Sequence, residues 1–410
     1  MTSDHNSAVL PPPATEEFGS AAWAGLAALG AAGWLACAAF QDPGPVWRAL
    51  LVNFIFFTPL AAALVVWPAA VMLSRGTWMG PLRQDALAGA SFAPLSLLAF
   101  AALWLGRSHW AGWLHEANLP NRAWLRDGFL FVRDGAALAV WWTVATVFAR
   151  GASDRRPAVR TEDEIAGVKP ALRTVSHPVE PGLFRLRHGI AAKMQTAEVE
   201  PKALAGGVAL AYALAFTLLA YDVVMALDPL WTSALFGGYF FISGMYAAVA
   251  ALALIEARQP APAPDRLHDL GKLVVTFSIM TTYLMFSQLL PIWYANLPHE
   301  IRFAVPRMKY LPWAGVSAAL LAVVYLGPLI LLLPARAKRS PRYLGAVCLL
   351  VLAGLWVERW WLVAPTLGQG FHVSAADVSL GAAFAGALGW GVRRFGRAHA
   401  AEPGKAGDRE

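Results

Sequence analysis

Long apolar runs repeat along this chain, and they restrict its fold more than any other feature. A helix of about 20 apolar residues crosses a hydrocarbon core about 30 Å thick, and in lipid such a helix satisfies its own backbone groups. Only 14% of the 410 residues are charged, compared with about 25% in a typical soluble domain. The sequence therefore predicts an all-α polytopic membrane protein with about ten transmembrane helices. The predicted spans cover residues 20–40, 48–73, 84–105, 128–149, 203–227, 231–256, 269–294, 311–334, 342–364 and 374–392.

Lys and Arg residues indicate how these spans are oriented. They are concentrated in the loops on the side that holds both termini, which includes the long basic loop 150–202. The loops on the other side hold few, among them Arg48 and Arg307. Because basic loops stay in the cytoplasm, both termini are predicted to be cytoplasmic. The net charge of +7 follows from this distribution, so it does not indicate a nucleic-acid partner. The loop 150–202 could bind anionic lipid or a protein partner, although a solvated connector explains it as simply.

The cysteine and histidine positions argue against a metal or redox cofactor in this chain. Cys37 and Cys348 lie alone in separate apolar spans, so they cannot form a c-type haem attachment, an iron–sulfur ligand set or a zinc site. None of the nine histidines lies in the middle of a predicted span. No histidine pair can therefore face another helix across a bundle to hold haem b. The chain is expected to bind no metal and to carry no cofactor of its own.

Ionisable residues at membrane depth form three clusters. They are Arg133 and Asp134 in the fourth span, Asp222 in the fifth, and Glu358 and Arg359 in the ninth. A charge in the membrane costs about 2.5–3.5 kcal/mol on insertion scales and often marks a functional site. Counted from the span ends, these residues and the pair Ser287–Gln288 in the seventh span fall in one layer near the outer face.

This layer predicts specific partners. Arg133 is expected to pair with Asp222, because the two lie at matched depth on consecutive helices. Adjacent residues on a helix do not face each other, so Glu358 and Arg359 need separate partners. Two interpretations stay open: paired charges that only fix the helix packing, or a proton or ligand site.

The seventh span carries a polar stripe. Its members are Asp269, Lys272, Thr276, Tyr283 and Ser287. At 100° per residue, their spacing confines them to about 60° of the helix circumference. If this stripe faces the bundle, it predicts a proton path that begins at Asp269 on the cytoplasmic side. The alternative is that its hydroxyls only bind neighbouring groups, as Ser and Thr commonly do in membrane helices.

Two long segments carry a family resemblance. The sequences "YDVVMALDPLWTSALFGGYFFISG" (221–244) and "HDLGKLVVTFSIMTTYLMFSQLLPIWYANLPHE" (268–300) resemble the NrfD-like membrane subunits of bacterial alternative complex III. Within that family they are similar to the ActF type, labelled quinone-binding subunit 2 of quinol:cytochrome c oxidoreductase. A more distant similarity is to the membrane subunit of polysulfide reductase.

The resemblance implies two four-helix bundles with flanking helices. It agrees with a parallel repeat of spans two to five and six to nine, in which Asp222 and Glu358 each lie seven residues before a proline. The implied divisions are 1–19 as a disordered cytoplasmic tail, 20–47 as the first transmembrane helix and outer loop, 48–227 as the first bundle with the cytoplasmic loop 150–202, 228–365 as the second bundle, 366–395 as the last transmembrane helix, and 396–410 as a cytoplasmic tail.

The resemblance also implies partners and roles. The partners would be a sister NrfD-like subunit, c-type cytochrome subunits and an iron–sulfur subunit in the bacterial inner membrane, with lipid around them. The haem and the iron–sulfur clusters belong to these partners. Asp222 and Glu358 would carry protons, with Arg133 and Arg359 as their charged neighbours and Asp134 as a further charge partner.

Two other functions stay open. One is a quinol site in this chain, with Gln288 or His299 beside an acid. Its weakness is the lack of a histidine within the membrane near the outer face. The other is a stand-alone secondary transporter, which the repeat would permit, although no span has the paired Gly/Pro break of a substrate site.

Overall fold

The computed structural model describes residues 15–115, 122–153, 201–296, 298–368, 370 and 372–400. All regular structure in these ranges is helical, and ten helices are long and apolar enough to cross a membrane. The protein is therefore an all-α, multi-pass membrane protein, as the apolar runs predict. The predicted tails lie largely outside the described residues, and so does most of the loop 150–202.

Eleven helices in these ranges are used below, and α8 is the short one that does not span. They are α1 (Gly19–Phe40), α2 (Pro43–Leu73), α3 (Leu82–Leu105), α4 (Asp127–Ser153), α5 (Lys202–Leu227), α6 (Phe236–Ala257), α7 (Pro264–Ala295), α8 (Pro298–Met308), α9 (Trp313–Leu331), α10 (Pro341–Val363) and α11 (Ala375–Phe395).

Eight of the spanning helices form two four-helix bundles. In the first bundle α2 packs against α3 and α5, and α4 also packs against α3 and α5. In the second bundle α6 packs against α7 and α10, and α9 packs against the other side of both. The bundles meet where α2 contacts α6 and α10. The apolar window of α2 is buried completely, so this helix lies at the centre of the protein.

The first and last spans pack along each other beside the first bundle. A Cβ atom on Gly30 would lie 2.4 Å from the backbone nitrogen of Ala383, and one on Gly386 would lie 2.4 Å from that of Ala27. Glycines at both crossing points thus let the two backbones approach closely, as small residues do between membrane helices. Both flanking helices therefore lie on the side of the first bundle, where α11 also contacts α2 and α3.

A buried ion pair joins α11 to α2. Arg48 Nη2 lies 2.7 Å from Asp377 Oδ2, and the two residues are 2% and 0% exposed. The same carboxylate oxygen accepts the backbone N–H of Ser374 at 2.8 Å, so Asp377 also completes a capping box at the start of α11. Arg48, the first residue of the predicted second span, lies within α2, because this helix begins at Pro43, five residues earlier than predicted. Proline is well suited to the first helical turn.

Candidate functional site

In the first bundle, a buried cluster of charges joins α4 to α5. Arg133 Nη2 lies 2.5 Å from Asp222 Oδ2, and Arg133 Nε lies 3.1 Å from Asp134 Oδ1. Trp124 donates its indole N–H to Asp222 Oδ1 at 2.7 Å, and the Arg133 guanidinium lies 3.9 Å from the centre of that indole ring. The predicted pairing of Arg133 with Asp222 is therefore confirmed.

This cluster contains two carboxyl groups and one guanidinium. Asp134 and Asp222 are 0% and 1% exposed, and Asp134 Oδ2 has no hydrogen-bond partner among the described residues. A net negative charge buried at membrane depth is costly. One proton shared by the two carboxyl groups makes the cluster neutral, so the geometry suits a site that binds and releases a proton.

The second bundle holds a separate buried network around Glu358. The Tyr325 hydroxyl lies 2.5 Å from Glu358 Oε1, and the Tyr239 hydroxyl lies 3.0 Å from the Tyr325 hydroxyl. Arg359 donates to Ser243 Oγ, and its guanidinium stacks 4.8 Å from the centre of the Phe240 ring. The prediction that Glu358 and Arg359 have separate partners is confirmed, although Arg359 Nη1 still approaches Glu358 Oε2 to 3.8 Å.

Each network contains a short π-helical segment. The first segment is Ala220–Val224, which carries Asp222, and the second is Leu321–Leu326, which carries Tyr325. Such segments are rare in proteins, and those that occur are often found at functional sites. In the second, Pro328 has no N–H to bond to Val324 O, and Tyr246 donates its hydroxyl to that carbonyl at 3.0 Å. A proline inside an apolar span was the sequence signal for this distortion.

Gln288 lies in a third place, at a cleft between α6, α7, α8 and α10. Gln288 Oε1 accepts the Ser233 hydroxyl at 3.1 Å, and Gln288 Nε2 donates to the backbone oxygen of Leu284 at 3.2 Å. The cleft has a cavity volume of about 20 Å³, and its walls are almost entirely apolar. They include the stacked rings of Trp231 and Phe303, whose centres are 3.8 Å apart. The side chain of His299 lies outside the described residues.

The residues that the sequence placed in one layer thus form three separate hydrogen-bonded groups in the described part of the chain. Two of them are built on a buried carboxyl group with few polar neighbours. The cleft at Gln288 is lined by Gln288 itself and also by Tyr239 of the Glu358 network. The network at Asp222 has no residue in the walls of this cleft.

The expectation that the polar stripe of α7 faces the bundle is wrong. Tyr283 is 67% exposed, and Lys272 and Thr276 are also exposed. Asp269 pairs with Lys272 at 2.7 Å on this outward face, Thr276 donates to the backbone oxygen of Lys272, and Ser287 is half-buried. The buried face of α7 carries Ser278, Thr281 and Gln288 instead. Small side chains there allow close packing against α9, so polarity alone did not identify the inner face.

Arg307 is a buried cation that sequence reasoning assigned to a loop. It is 1% exposed and lies on α8. Its guanidinium donates to the backbone oxygens of Trp361 and Leu362 at 3.1 and 2.8 Å and to Thr366 Oγ1 at 2.6 Å. Burial lowers the pKa of Arg307 to about 9, and the Asp228 carboxylate opposes this shift. The group remains charged at neutral pH, where it ties α8 to the end of α10.

Comparisons with known proteins give no assignment. A scan against models of protein families finds no match, and a search of curated proteins finds none. In the part of the chain that the structure describes, no three His, Cys, Asp or Glu residues are grouped so that they could hold a metal ion. The features that bear on function are therefore the two buried carboxyl networks and the cleft at Gln288.

Proposed function

We propose that this chain is a cofactor-free membrane subunit of a quinol:cytochrome c oxidoreductase of the alternative complex III type. It would lie in the bacterial inner membrane with both termini in the cytoplasm. Its sister NrfD-like subunit, the c-type cytochrome subunits and the iron–sulfur subunit would be its partners, and they would carry the redox centres. The support is the resemblance of residues 221–244 and 268–300, together with the multi-pass helical fold.

Within that complex, the proposed task of this chain is to move protons. The observation that carries this proposal is the pair of buried carboxyl networks, one in each bundle, at Asp222 and Glu358. Each acid is within hydrogen-bond distance of a side chain on another helix, and each lies within 4 Å of an arginine. In both networks one carboxyl oxygen is free to take a proton, since Glu358 Oε2 and Asp134 Oδ2 have no hydrogen-bond partner among the described residues.

The first test of the proposal is purification of the tagged chain from its native membrane in mild detergent. The chain has two cysteines that lie far apart, so it cannot attach a c-type haem. A c-type haem band in the visible spectrum, with co-eluting subunits, would therefore come from partners and would support the complex. A colourless protein that elutes alone would contradict it and would favour a stand-alone transporter.

The second test separates proton movement from electron transfer. In the purified complex in liposomes, Glu358→Gln and Asp222→Asn remove a proton-binding oxygen with little change of shape. Because loss of a proton-transfer group slows the transfer by about a hundredfold, we expect either variant to lower the protons moved per electron. Electron transfer from quinol to cytochrome c should change less.

The matched control is Asp265→Asn, which alters an exposed acid that lies 3.3 Å from Arg339 at the protein surface. This variant should behave as the unmodified complex. If Glu358→Gln and Asp222→Asn also move the normal number of protons, the two networks serve packing alone.

A quinol site at Gln288 is the second candidate function. The observation that favours it is the apolar cleft, whose walls include the Trp231 and Phe303 rings and the buried Gln288 side chain. Such walls can stack on a flat quinone ring, but the cavity of about 20 Å³ must widen to admit one. Quinone extracted from the purified protein, and absent from Gln288→Leu, would support this candidate, whereas equal amounts in both would contradict it.

A further inference from the structure

Three buried side chains form a continuous hydrogen-bonded chain across the second bundle. Tyr239 on α6, Tyr325 on α9 and Glu358 on α10 are linked through oxygen–oxygen distances of 3.0 and 2.5 Å. Tyr239 and Glu358 are 0% exposed, and Tyr325 is 6% exposed. These hydrogen bonds therefore join three helices inside the second bundle.

Tyr325 is held in place by bonds that do not involve Glu358. Ser278 donates its hydroxyl to the backbone oxygen of Tyr325 at 2.5 Å, and Tyr246 donates to Val324 O at 3.0 Å. Both acceptors belong to the π-helical segment of α9. This segment is therefore fastened on two sides, and it presents the Tyr325 side chain to Glu358.

The two hydrogen bonds that link Tyr239, Tyr325 and Glu358 can point in either direction. When Glu358 is ionised, Tyr325 donates to it and Tyr239 donates to Tyr325. When Glu358 is protonated, it can donate to Tyr325, and Tyr325 can then donate to Tyr239. A hydroxyl group both donates and accepts, so the same three oxygens support both directions without moving far.

We propose that Tyr239 and Tyr325 carry protons to and from Glu358. This inference rests on the proposed proton role of Glu358. A proton arriving at the Tyr239 oxygen releases the proton of that hydroxyl to Tyr325, and Tyr325 releases its own proton to the Glu358 carboxylate. Each tyrosine loses one proton and gains one, so neither ends with a charge, and nothing is oxidised or reduced.

The two ends of this relay differ in their surroundings. The Tyr239 ring forms part of the wall of the cleft at Gln288, so the relay begins beside that cleft. At the other end, Glu358 Oε2 has no hydrogen-bond partner among the described residues and lies 3.8 Å from Arg359 Nη1. The Arg359 guanidinium cannot accept a proton, so it stabilises the ionised carboxylate, and the proton returns through Tyr325 and Tyr239.

The relay can be tested with matched tyrosine variants of the full-length chain. Tyr325→Phe and Tyr239→Phe remove one link each, and Tyr212→Phe removes a buried hydroxyl that donates to the backbone oxygen of Phe241 and binds neither Glu358 nor the π-helical segment of α9. In lipid discs, the infrared carboxyl band that disappears in Glu358→Gln reports on Glu358. We expect deuterium exchange into this carboxyl group to slow by about tenfold or more in the first two variants, and not in Tyr212→Phe.

The outcomes distinguish the relay from the proton function on which it rests. If exchange at Glu358 is equally fast in all three tyrosine variants, the relay is wrong, even if Glu358→Gln lowers the protons moved by the complex. If no band sensitive to Glu358→Gln appears at any pH at which the chain stays folded, Glu358 takes no proton and both proposals fail. Thermal unfolding of each variant shows whether it retains the fold, and Tyr239→Phe tests the relay if Tyr325→Phe does not.

Discussion

Replacing Asp377 with alanine should lower the free energy of unfolding by about 3–5 kcal/mol, because a buried cation loses its carboxylate partner. Arg48 and Asp377 are 2% and 0% exposed and lie 2.7 Å apart. The same substitution removes the capping box that Asp377 forms with Ser374 at the start of α11. Thermal unfolding of the purified chain in detergent measures the effect.

Two variants separate the charge from the general effect of a substitution. Arg48→Met combined with Asp377→Leu replaces the whole pair with apolar side chains, and it should recover much of the lost stability, since a buried pair and an apolar replacement often differ little. Asp265→Ala removes the carboxylate of an exposed pair with Arg339 and should change little. If Asp377→Ala unfolds at the same temperature as Asp265→Ala, the buried pair does not stabilise the fold.

The number of spanning helices could be predicted because the bilayer sets a length that each apolar run must meet. The ends of the helices could not be predicted as well. Apolar composition does not show where a helix begins, and α2 begins at Pro43 because of its first-turn proline rather than its hydropathy. Arg48 therefore lies inside α2 rather than at its predicted first position, and it forms the buried ion pair from there.

The depth of a residue along its helix predicted its partner correctly, whereas the polarity of residues around α7 did not predict which face of that helix is buried. Arg133 and Asp222 pair as their matched depth predicts. Polarity failed on α7, because a hydroxyl in a membrane helix can bond to its own backbone and then face outward, as Thr276 does with the backbone oxygen of Lys272. Small residues such as Ser278 mark the packed face instead.

The partner of Glu358 was beyond sequence reasoning for a structural reason. Tyr325 reaches it from a π-helical segment, and a π-helical turn changes which side chains of a helix share a face. A regular helix of 3.6 residues per turn is the basis for every facing argument from sequence. Only Pro328, which leaves Val324 O without its helical donor, indicated that α9 departs from that regularity.

Arg307→Met should lower the free energy of unfolding by about 3 kcal/mol or more, because hydrogen bonds to a charged group each contribute about 1.5–3 kcal/mol. Methionine fills a similar volume but donates no hydrogen bond. The backbone oxygens of Trp361 and Leu362, in the last turn of α10, and Thr366 Oγ1 would lose their donor. The guanidinium also offsets the negative end of the α10 dipole, which methionine cannot do.

Arg307→Lys and Arg302→Met are the matched variants for this prediction. Lysine keeps the charge but cannot span the four acceptors of Arg307 with a planar fork, so it should recover only part of the stability. Arg302 lies on the same helix and pairs with Asp228 at 3.1 Å, but its side chain is 45% exposed, so its loss should change little. The helix α8 also forms a wall of the cleft. Because Arg307→Met removes the hydrogen bonds that hold α8, protease cleavage at α8 should increase in this variant and not in Arg302→Met. Equal stability and equal cleavage in Arg307→Met and Arg302→Met would show that α8 is held by its apolar contacts, such as the Phe303–Trp231 stack, and not by the buried cation.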